Sequence, residues 1–97
     1  MPAYVISDVV IRDPVEFETY RSLAAASIAK YGGRYIVRGG AVRPVEGGWA
    51  PKAIVIVEFD SMERAWEWYR SPEYAEALAV RRVALERKLI FVEGVGQ

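Results

Sequence analysis

The order in which extended and helical segments alternate constrains the fold of this chain more than any other feature. Runs rich in β-branched and aromatic residues predict strands, and the segments between them carry apolar residues at helical spacing. The predicted strands are Ala3–Ile11, Arg34–Arg38, Ala53–Phe59 and Lys88–Glu93. Helical patterns separate the first strand from the second and the third from the fourth. The order is therefore βαββαβ.

Residues that favour helix ends support these boundaries. Asp13–Glu16 combines an N-cap, a proline at the first helical position and a capping glutamate, and Gly32 predicts the left-handed end of that helix. Ser61 is expected to cap a second helix. Ser71–Glu73 is expected to start another one, in a new direction, which runs to about Arg87.

Right-handed crossovers applied to this order favour an α+β ferredoxin-like fold. It is a four-stranded antiparallel sheet in the order 4-1-3-2, with the helices on one face. Its 97 residues are enough for one domain and not for two. The other face of the sheet would be apolar and bare. We expect a second copy of the chain to cover it, because such a face does not stay in water.

Composition excludes several classes of function. Thirteen basic and thirteen acidic residues leave no net charge, which argues against a nucleic-acid partner. There is no Cys and no His, so thiolate chemistry, a Ser-His triad and the commonest transition-metal and haem ligand are excluded. We therefore expect no cofactor and no metal.

Nothing in the chain predicts contact with a membrane. Its longest unbroken apolar run, Ala53–Val57, is far too short to span a bilayer. The segment MPAYVISDVV has no basic region and no small-residue cleavage site. We expect a cytoplasmic protein.

Three Gly-Gly pairs lie in the stretch YGGRYIVRGGAVRPVEGG, residues 31–48. Neither G-x-G-x-x-G nor G-x-x-x-x-G-K-[ST] is present, so these are not phosphate-binding loops of those kinds. The pairs are expected to end a helix, to let a strand leave the sheet and to loosen a loop.

Strand alternation then sorts side chains between the helices and the opposite face of the sheet. We expect Tyr35 and Val37, and likewise Ile90 and Val92, to face the helices, and Leu89 to face away from them. On the opposite face the strand directions predict three rows. One row is Glu93, Tyr4, Glu58 and Arg34; the middle row is Phe91, Ile6, Ile56 and Ile36; the far end holds Asp8 and Arg38.

An apolar floor with polar residues at each end is typical of a small-molecule pocket. Glu58 or Glu93 would be a proton acceptor, Arg34 an anion clamp and Tyr4 a hydrogen-bond donor. The alternative is an Arg34–Glu58 ion pair across the hairpin, with Glu93 at a dimer rim. Asp8 and Arg38 carry the same two interpretations.

Aromatic and basic residues elsewhere also have two interpretations. Tyr74 would lie in the core, like most aromatics at helical spacing, or hang over the mouth of the pocket. Trp49, in a loop, would be an interface anchor, a lid or a merely exposed ring. Arg81, Arg82, Arg87 and Lys88 are more typical of a solvated helix face than of a phosphate site.

The motifs GGRYIVRGG at Gly32–Gly40, WYRSPEY at Trp68–Tyr74 and VEGV at Val92–Val95 resemble a family of short, mostly bacterial domains of unknown function. That family belongs to the dimeric α/β-barrel superfamily, and the resemblance covers nearly the whole chain. It implies two ferredoxin-like sheets that form a barrel across a dimer, and no established reaction. At the superfamily level it extends to cofactor-free monooxygenases, haem-degrading enzymes, lactone isomerases and small stress-response proteins.

Three functions are compatible with these observations. The first is a homodimeric domain that binds a small apolar or aromatic acid in the barrel. The second is a cofactor-free enzyme, of monooxygenase or isomerase type, with a carboxylate or Tyr as base. The third is a structural dimerisation module whose barrel is filled by its own side chains.

Overall fold

The predicted order of elements is present in the computed structural model, which describes residues 1–96. The chain forms β1 (Ala3–Ile11), α1 (Pro14–Lys30), β2 (Arg34–Arg38), β3 (Ile54–Phe59), α2 (Met62–Tyr69), α3 (Pro72–Ala84) and β4 (Leu85–Glu93). The sheet order is β2-β3-β1-β4, and every neighbouring pair is antiparallel. This is the predicted ferredoxin-like sheet, named from its other edge.

The helix starts lie where the capping residues predict them. The Asp13 carboxylate accepts hydrogen bonds from the backbone N–H groups of Val15 and Glu16, at 3.0 and 3.2 Å. Ser71 Oγ accepts from Tyr74 N at 3.0 Å and donates to the Trp68 carbonyl at 2.7 Å. The single hydroxyl of Ser71 thus links the end of α2 to the start of α3.

The glycines act as turn residues, as expected. Gly32 has a φ of +79°, the left-handed conformation that ends α1. Gly33 has a different constraint, because a Cβ there would lie 2.7 Å from the Phe59 ring. Together they let β2 begin directly beside the core.

The core lies between one face of the sheet, called here the helix face, and the three helices. Val5, Val57 and Phe59 of the central strands are buried, as are Trp68 and Tyr74 of the helices. Strands β1 and β3 therefore present the faces that alternation predicts. The opposite side of the sheet is called the outer face.

Strand β4 corrects one prediction. Its helix-face residues are Leu85, Leu89 and Phe91, which pack on the core, whereas Ile90 is 57% exposed and pairs with Ile6 on the outer face. The expected assignment of Ile90 and Val92 to the helices, and of Leu89, Phe91 and Glu93 to the opposite side, is wrong. The tetrapeptide Leu89–Val92 is apolar at every position, so alternation alone cannot decide which of its side chains face the helices.

The point at which α3 ends decides which side chains of β4 face the helices. The predicted helix continues to about Arg87, but α3 ends at Ala84 and Leu85 is already extended, with φ −160° and ψ 164°. Leu85 is buried, and strand alternation carried onward from it places Arg87, Leu89 and Phe91 on the helix face.

Strand β2 corrects a second prediction. Arg34 pairs with Glu58 and Tyr35 with Val57, but a β-bulge follows, and Val37 pairs with Ile56 and Arg38 with Val55. The extra residue shifts every later side chain to the other face. Arg38 therefore lies on the helix face, not beside Asp8, and Val37 rather than Ile36 stands opposite Ile56.

Candidate functional site

The predicted polar row on the outer face is present in part. Tyr4 Oη donates to Glu58 Oε2 at 3.0 Å, and Arg34 Nη2 lies 2.6 Å from Glu58 Oε1. The hydrogen bond to Glu58, together with partial desolvation, raises the pKa of Tyr4 above its ordinary value. Arg34 also lies 3.8 Å from Asp60. Glu58 Oε1 thus forms the cross-hairpin ion pair that was one of the two interpretations, and Glu58 Oε2 accepts the hydrogen bond from Tyr4.

The other predicted site residues do not join this cluster. Glu93 pairs with Ala3, and Val92 stands opposite Tyr4, where Glu93 was expected. Asp8 pairs across the strands with Lys88, in a shallow surface depression that also includes Arg81 and Arg82. The cluster of Tyr4, Arg34 and Glu58 therefore includes neither Glu93 nor Asp8, and Asp8 lies apart from both predicted arginines.

Tyr74 is fully buried and does not hang over a pocket mouth. Its ring packs on Trp68 with a centroid distance of 4.3 Å and on Tyr69 at 5.7 Å. The core interpretation is confirmed for this residue, although its hydroxyl belongs to the network described below.

A cavity of about 290 Å³ lies on the helix face, between the sheet and α1, and is called here the arginine cavity. Its volume is at the lower limit of ordinary small-molecule pockets, about 300–1,000 Å³. Most of its wall is apolar. The apolar lining comprises Val5, Val9, Ile11, Phe17, Ala24, Ile28, Ala53, Val55, Val57, Trp68 and Leu85.

The charged groups of the arginine cavity are all cationic. Arg21, Arg38 and Arg87 line it, and no Asp or Glu is found among the described residues of its wall. Arg21 has an ion-pair partner outside the wall, Glu18, at 3.0 Å. Within residues 1–96, Arg38 and Arg87 form no salt bridge. Two cations of this wall thus lack a charged partner among the residues that the structure describes.

Aromatic rings hold these two arginines in place. The Arg38 guanidinium lies 4.1 Å from the centroid of the Tyr35 ring, a close cation–π contact. Arg87 lies 5.9 Å from the Tyr20 centroid and 5.8 Å from that of Tyr74. The rings fix the guanidinium positions without neutralising their charge.

Two tyrosine hydroxyls join Arg87 in a hydrogen-bonded chain. Arg87 Nη1 donates to Tyr20 Oη at 2.7 Å, and Tyr20 Oη lies 2.8 Å from Tyr74 Oη. Burial, followed by the neighbouring Tyr74, raises the pKa of Tyr20 far above its ordinary value. Burial also raises the pKa of Tyr35. Both tyrosines are therefore neutral hydrogen-bonding groups at physiological pH.

Sequence reasoning missed the centre of this site. At helical spacing from Phe17 and Ala24, Tyr20 fits an ordinary apolar stripe of α1. Arg87 was expected on a solvated helix face. A signal was present: Arg87 lies between Leu85 and Leu89 at strand spacing, which places a cation on a buried strand face once the segment is recognised as a strand. The pairing of Arg87 with Tyr20, 67 residues away, had no local signal.

Neither metal-binding nor membrane-spanning features were found in the part of the chain that the structure describes. No group of three His, Cys, Asp or Glu side chains there is placed to hold a metal ion. No helix within residues 1–96 has the length and apolar character needed to cross a bilayer.

Solved structures with the same fold cover almost the whole chain. RPA0582, a protein of unknown function from Rhodopseudomonas palustris, is 19% identical with a TM-score of 0.75, covering 99% of this chain and 84% of its own. SnoaB, a cofactor-independent oxygenase from Streptomyces nogalater, is 13% identical with a TM-score of 0.70, covering 99% and 95%. Identities this low show a common fold alone.

A third structure, a dimeric protein of unknown function and ferredoxin-like fold from Bacteroides fragilis, is 17% identical with a TM-score of 0.62, and 96% of each chain is covered. A search of curated proteins found no match. A family model does match residues 2–95, that of the domain of unknown function DUF1330. Because this match takes in nearly every residue, the chain belongs to the DUF1330 family.

Proposed function

We propose that this protein is a homodimeric domain that binds a small apolar or aromatic acid, and that the acid occupies the arginine cavity. The observation that carries this proposal is the wall of the cavity, which combines an apolar surface with three arginines and, among the described residues, no carboxylate. The class of ligand is the one inferred from the sequence. Its location differs from the barrel interior that was first expected.

The physical argument rests on the cost of a desolvated cation. Of the three arginines Arg87 is the one that is partly buried. A neutral hydroxyl and aromatic rings replace only part of the hydration that its charge loses. A bound anion restores that interaction through charge-assisted hydrogen bonds, which arginine forms readily with carboxylates. The apolar remainder of the cavity suits the hydrocarbon part of such an acid.

The homodimer is proposed from the outer face. Ile90 and Val92 are exposed there, and Ile6 and Ile56 extend the same apolar surface toward β2. An apolar surface of this kind is rarely left in water. The dimeric Bacteroides fragilis protein of the same fold supports a second copy as the partner.

Binding is tested by calorimetric titration of the purified protein with naphthoate, a planar aromatic carboxylate, and with the neutral naphthamide. We expect naphthoate to bind more tightly, because only the carboxylate compensates the arginines. Arg87→Met should weaken naphthoate binding by about tenfold or more, the worth of one hydrogen bond to a charged group.

Arg43→Met is the matched control, since Arg43 is exposed in the loop before β3 and does not line the cavity. Equal affinity for naphthoate and naphthamide, or equal losses in the two arginine variants, would contradict the proposal.

A cofactor-free enzyme is the second candidate. It is favoured by the oxygenase SnoaB, whose fold this chain shares. Glu58, the candidate base, lies on the outer face and not in the arginine cavity. A reaction that uses Glu58 would therefore take place in the barrel between two copies. Unchanged turnover by Glu58→Gln, once a substrate is known, would remove Glu58 as the base.

The third candidate, a structural dimerisation module, predicts a protein that forms the dimer but binds no acid. It draws on the same outer-face isoleucines, which would then fill the barrel themselves. The naphthoate titration separates it from the first candidate, because a purely structural module has no reason to prefer the carboxylate over the amide.

A further inference from the structure

The hydrogen-bonded chain of Tyr20, Tyr74 and Arg87 contains two hydroxyl hydrogens, and its acceptors are the two tyrosine oxygens. Arginine carries only donors, so neither tyrosine can donate to Arg87. One hydroxyl hydrogen lies in the bond between Tyr20 Oη and Tyr74 Oη, whose distance is 2.8 Å. The other hydrogen must point elsewhere.

Burial decides which hydrogen is free. Tyr74 has no exposed surface, and within residues 1–96 its hydroxyl has no acceptor other than Tyr20 Oη. If Tyr20 donated to Tyr74, the Tyr74 hydrogen would be buried without a partner, which is costly. Tyr74 therefore donates to Tyr20, and the hydrogen of Tyr20 remains available.

Tyr20 and Arg87 both line the arginine cavity, whereas Tyr74 is not among its lining residues, so the free hydrogen of Tyr20 can point toward the cavity. Ser7 also lines the cavity. Its hydroxyl donates to the Val55 carbonyl at 3.4 Å. The Tyr20 O–H and those Arg87 N–H groups that do not bond Tyr20 are thus neighbouring free donors, among the described residues, on a mostly apolar wall.

We propose that Tyr20 and Arg87 form a two-donor subsite for the oxyanion of a phenolate or an enolate. This inference rests on the proposed function and specifies which acid the cavity prefers. A hydroxyl and a guanidinium that are already hydrogen-bonded to each other can both donate to one oxygen atom.

The groups around the subsite favour the ionised form of such a ligand. Tyr20 on α1 is faced by Tyr74 on α3, by Arg87 on β4 and by Tyr35 on β2. Arg87 is also near Tyr69 on α2. Burial keeps Tyr20 neutral at physiological pH, and Arg87 is a permanent cation, so a phenol that binds here should have a lowered pKa.

The inference is tested with para-nitrophenol, whose phenolate absorbs visible light. Spectrophotometric pH titrations with protein in excess measure the pKa of the bound dye, and titrations at neutral pH measure its affinity. The wild-type protein should lower the pKa of the dye. Tyr20→Phe should weaken phenolate binding by about tenfold, because a donor to a charged oxygen is lost. Tyr74→Phe should cause a smaller loss, because Tyr20 keeps its free hydrogen.

The opposite orientation of the tyrosine pair makes a different prediction. If Tyr20 spent its hydrogen on Tyr74, Tyr20→Phe would leave dye affinity unchanged, and that result overturns the inference while the proposed function stands. Binding of naphthoate without binding of para-nitrophenol also overturns the inference alone. Absence of binding by both probes overturns the proposed function and the subsite together.

Discussion

The charged side chains on the two faces of the sheet have different kinds of partner. On the outer face, Arg34 and Glu58 neutralise each other, and Tyr4 completes the cluster with a hydrogen bond. On the helix face, Arg38 and Arg87 meet aromatic rings and hydroxyls rather than carboxylates. Charges that are paired within the chain gain little from a ligand. A bound anion would compensate cations that have no charged partner among the described residues and lie beside a cavity. This contrast, rather than the number of charged residues, distinguishes the candidate site.

The largest effect is expected from a core residue of the helix face. Phe59 is fully buried and packs on Trp68 at a centroid distance of 5.5 Å. Phe59→Ala should lower the free energy of unfolding by about 3–5 kcal/mol, through lost burial and the cavity left behind. Urea denaturation followed by circular dichroism measures this change, which should be the same at every protein concentration.

Ile90→Ala is the outer-face counterpart of that variant. Its effect should appear only at concentrations where the dimer is populated, because mass action couples stability to assembly. A loss for Ile90→Ala that is independent of concentration would show that the outer face is not a dimer interface.

The second prediction concerns assembly itself. Ile90→Lys places a cation in the middle of the apolar outer face, opposite Ile6. Burying that charge in an interface is costly, so the sedimentation coefficient should shift from that of a dimer to that of a monomer. Val83→Lys is the control, since Val83 is equally exposed but lies on α3, away from the sheet. A wild-type protein that sediments as a monomer at micromolar concentration would remove the barrel altogether.

A smaller effect is expected when the outer-face ion pair is broken. Arg34 is largely exposed, and exposed pairs contribute about 0–1 kcal/mol. Arg34→Met should therefore cost about 1 kcal/mol or less in urea denaturation and leave naphthoate affinity unchanged. A loss of naphthoate affinity as large as that of Arg87→Met would move the candidate site back to the outer face.

The smallest effect concerns pH and lies outside both faces. A hydrogen bond from Lys30, then backbone and Tyr31 hydrogen bonds, lowers the pKa of Glu73 to about 2. Because the folded-state pKa is depressed, this contribution to stability is complete above the unfolded value of 4.5 and is lost as pH falls toward about 2. The urea midpoint should fall over that range, and less so in Glu73→Gln.

Glu67→Gln is the control for this pH dependence. Glu67 forms an exposed ion pair with Arg64 within α2, at 3.4 Å, and does not link two helices. Its variant should retain the acid-dependent loss of the wild-type protein. Identical pH profiles for wild type and Glu73→Gln would contradict the assignment.

The outcome at individual residues shows where sequence analysis succeeds. Asp13 and Ser71 were identified as helix caps because capping is a local property of a few neighbouring residues. The contact between Arg34 and Glu58 was predicted because a hairpin places the start of β2 beside the end of β3. Arg38 was misplaced because a single bulged residue reverses strand alternation, and no turn signal marks that bulge.

The sequence by itself determined the order of the elements, their capped ends and the apolar faces of the two central strands, since these depend on local propensity and spacing. The tertiary structure decided which side chains of β4 face the helices and on which face Arg38 lies. It also decided the contact among Tyr20, Tyr74 and Arg87. Leu89–Val92 can bury either pair of side chains, and only the packing of Leu85 beneath the helices selects one. The candidate site depends on that choice, because the same strand places Arg87 inside the protein.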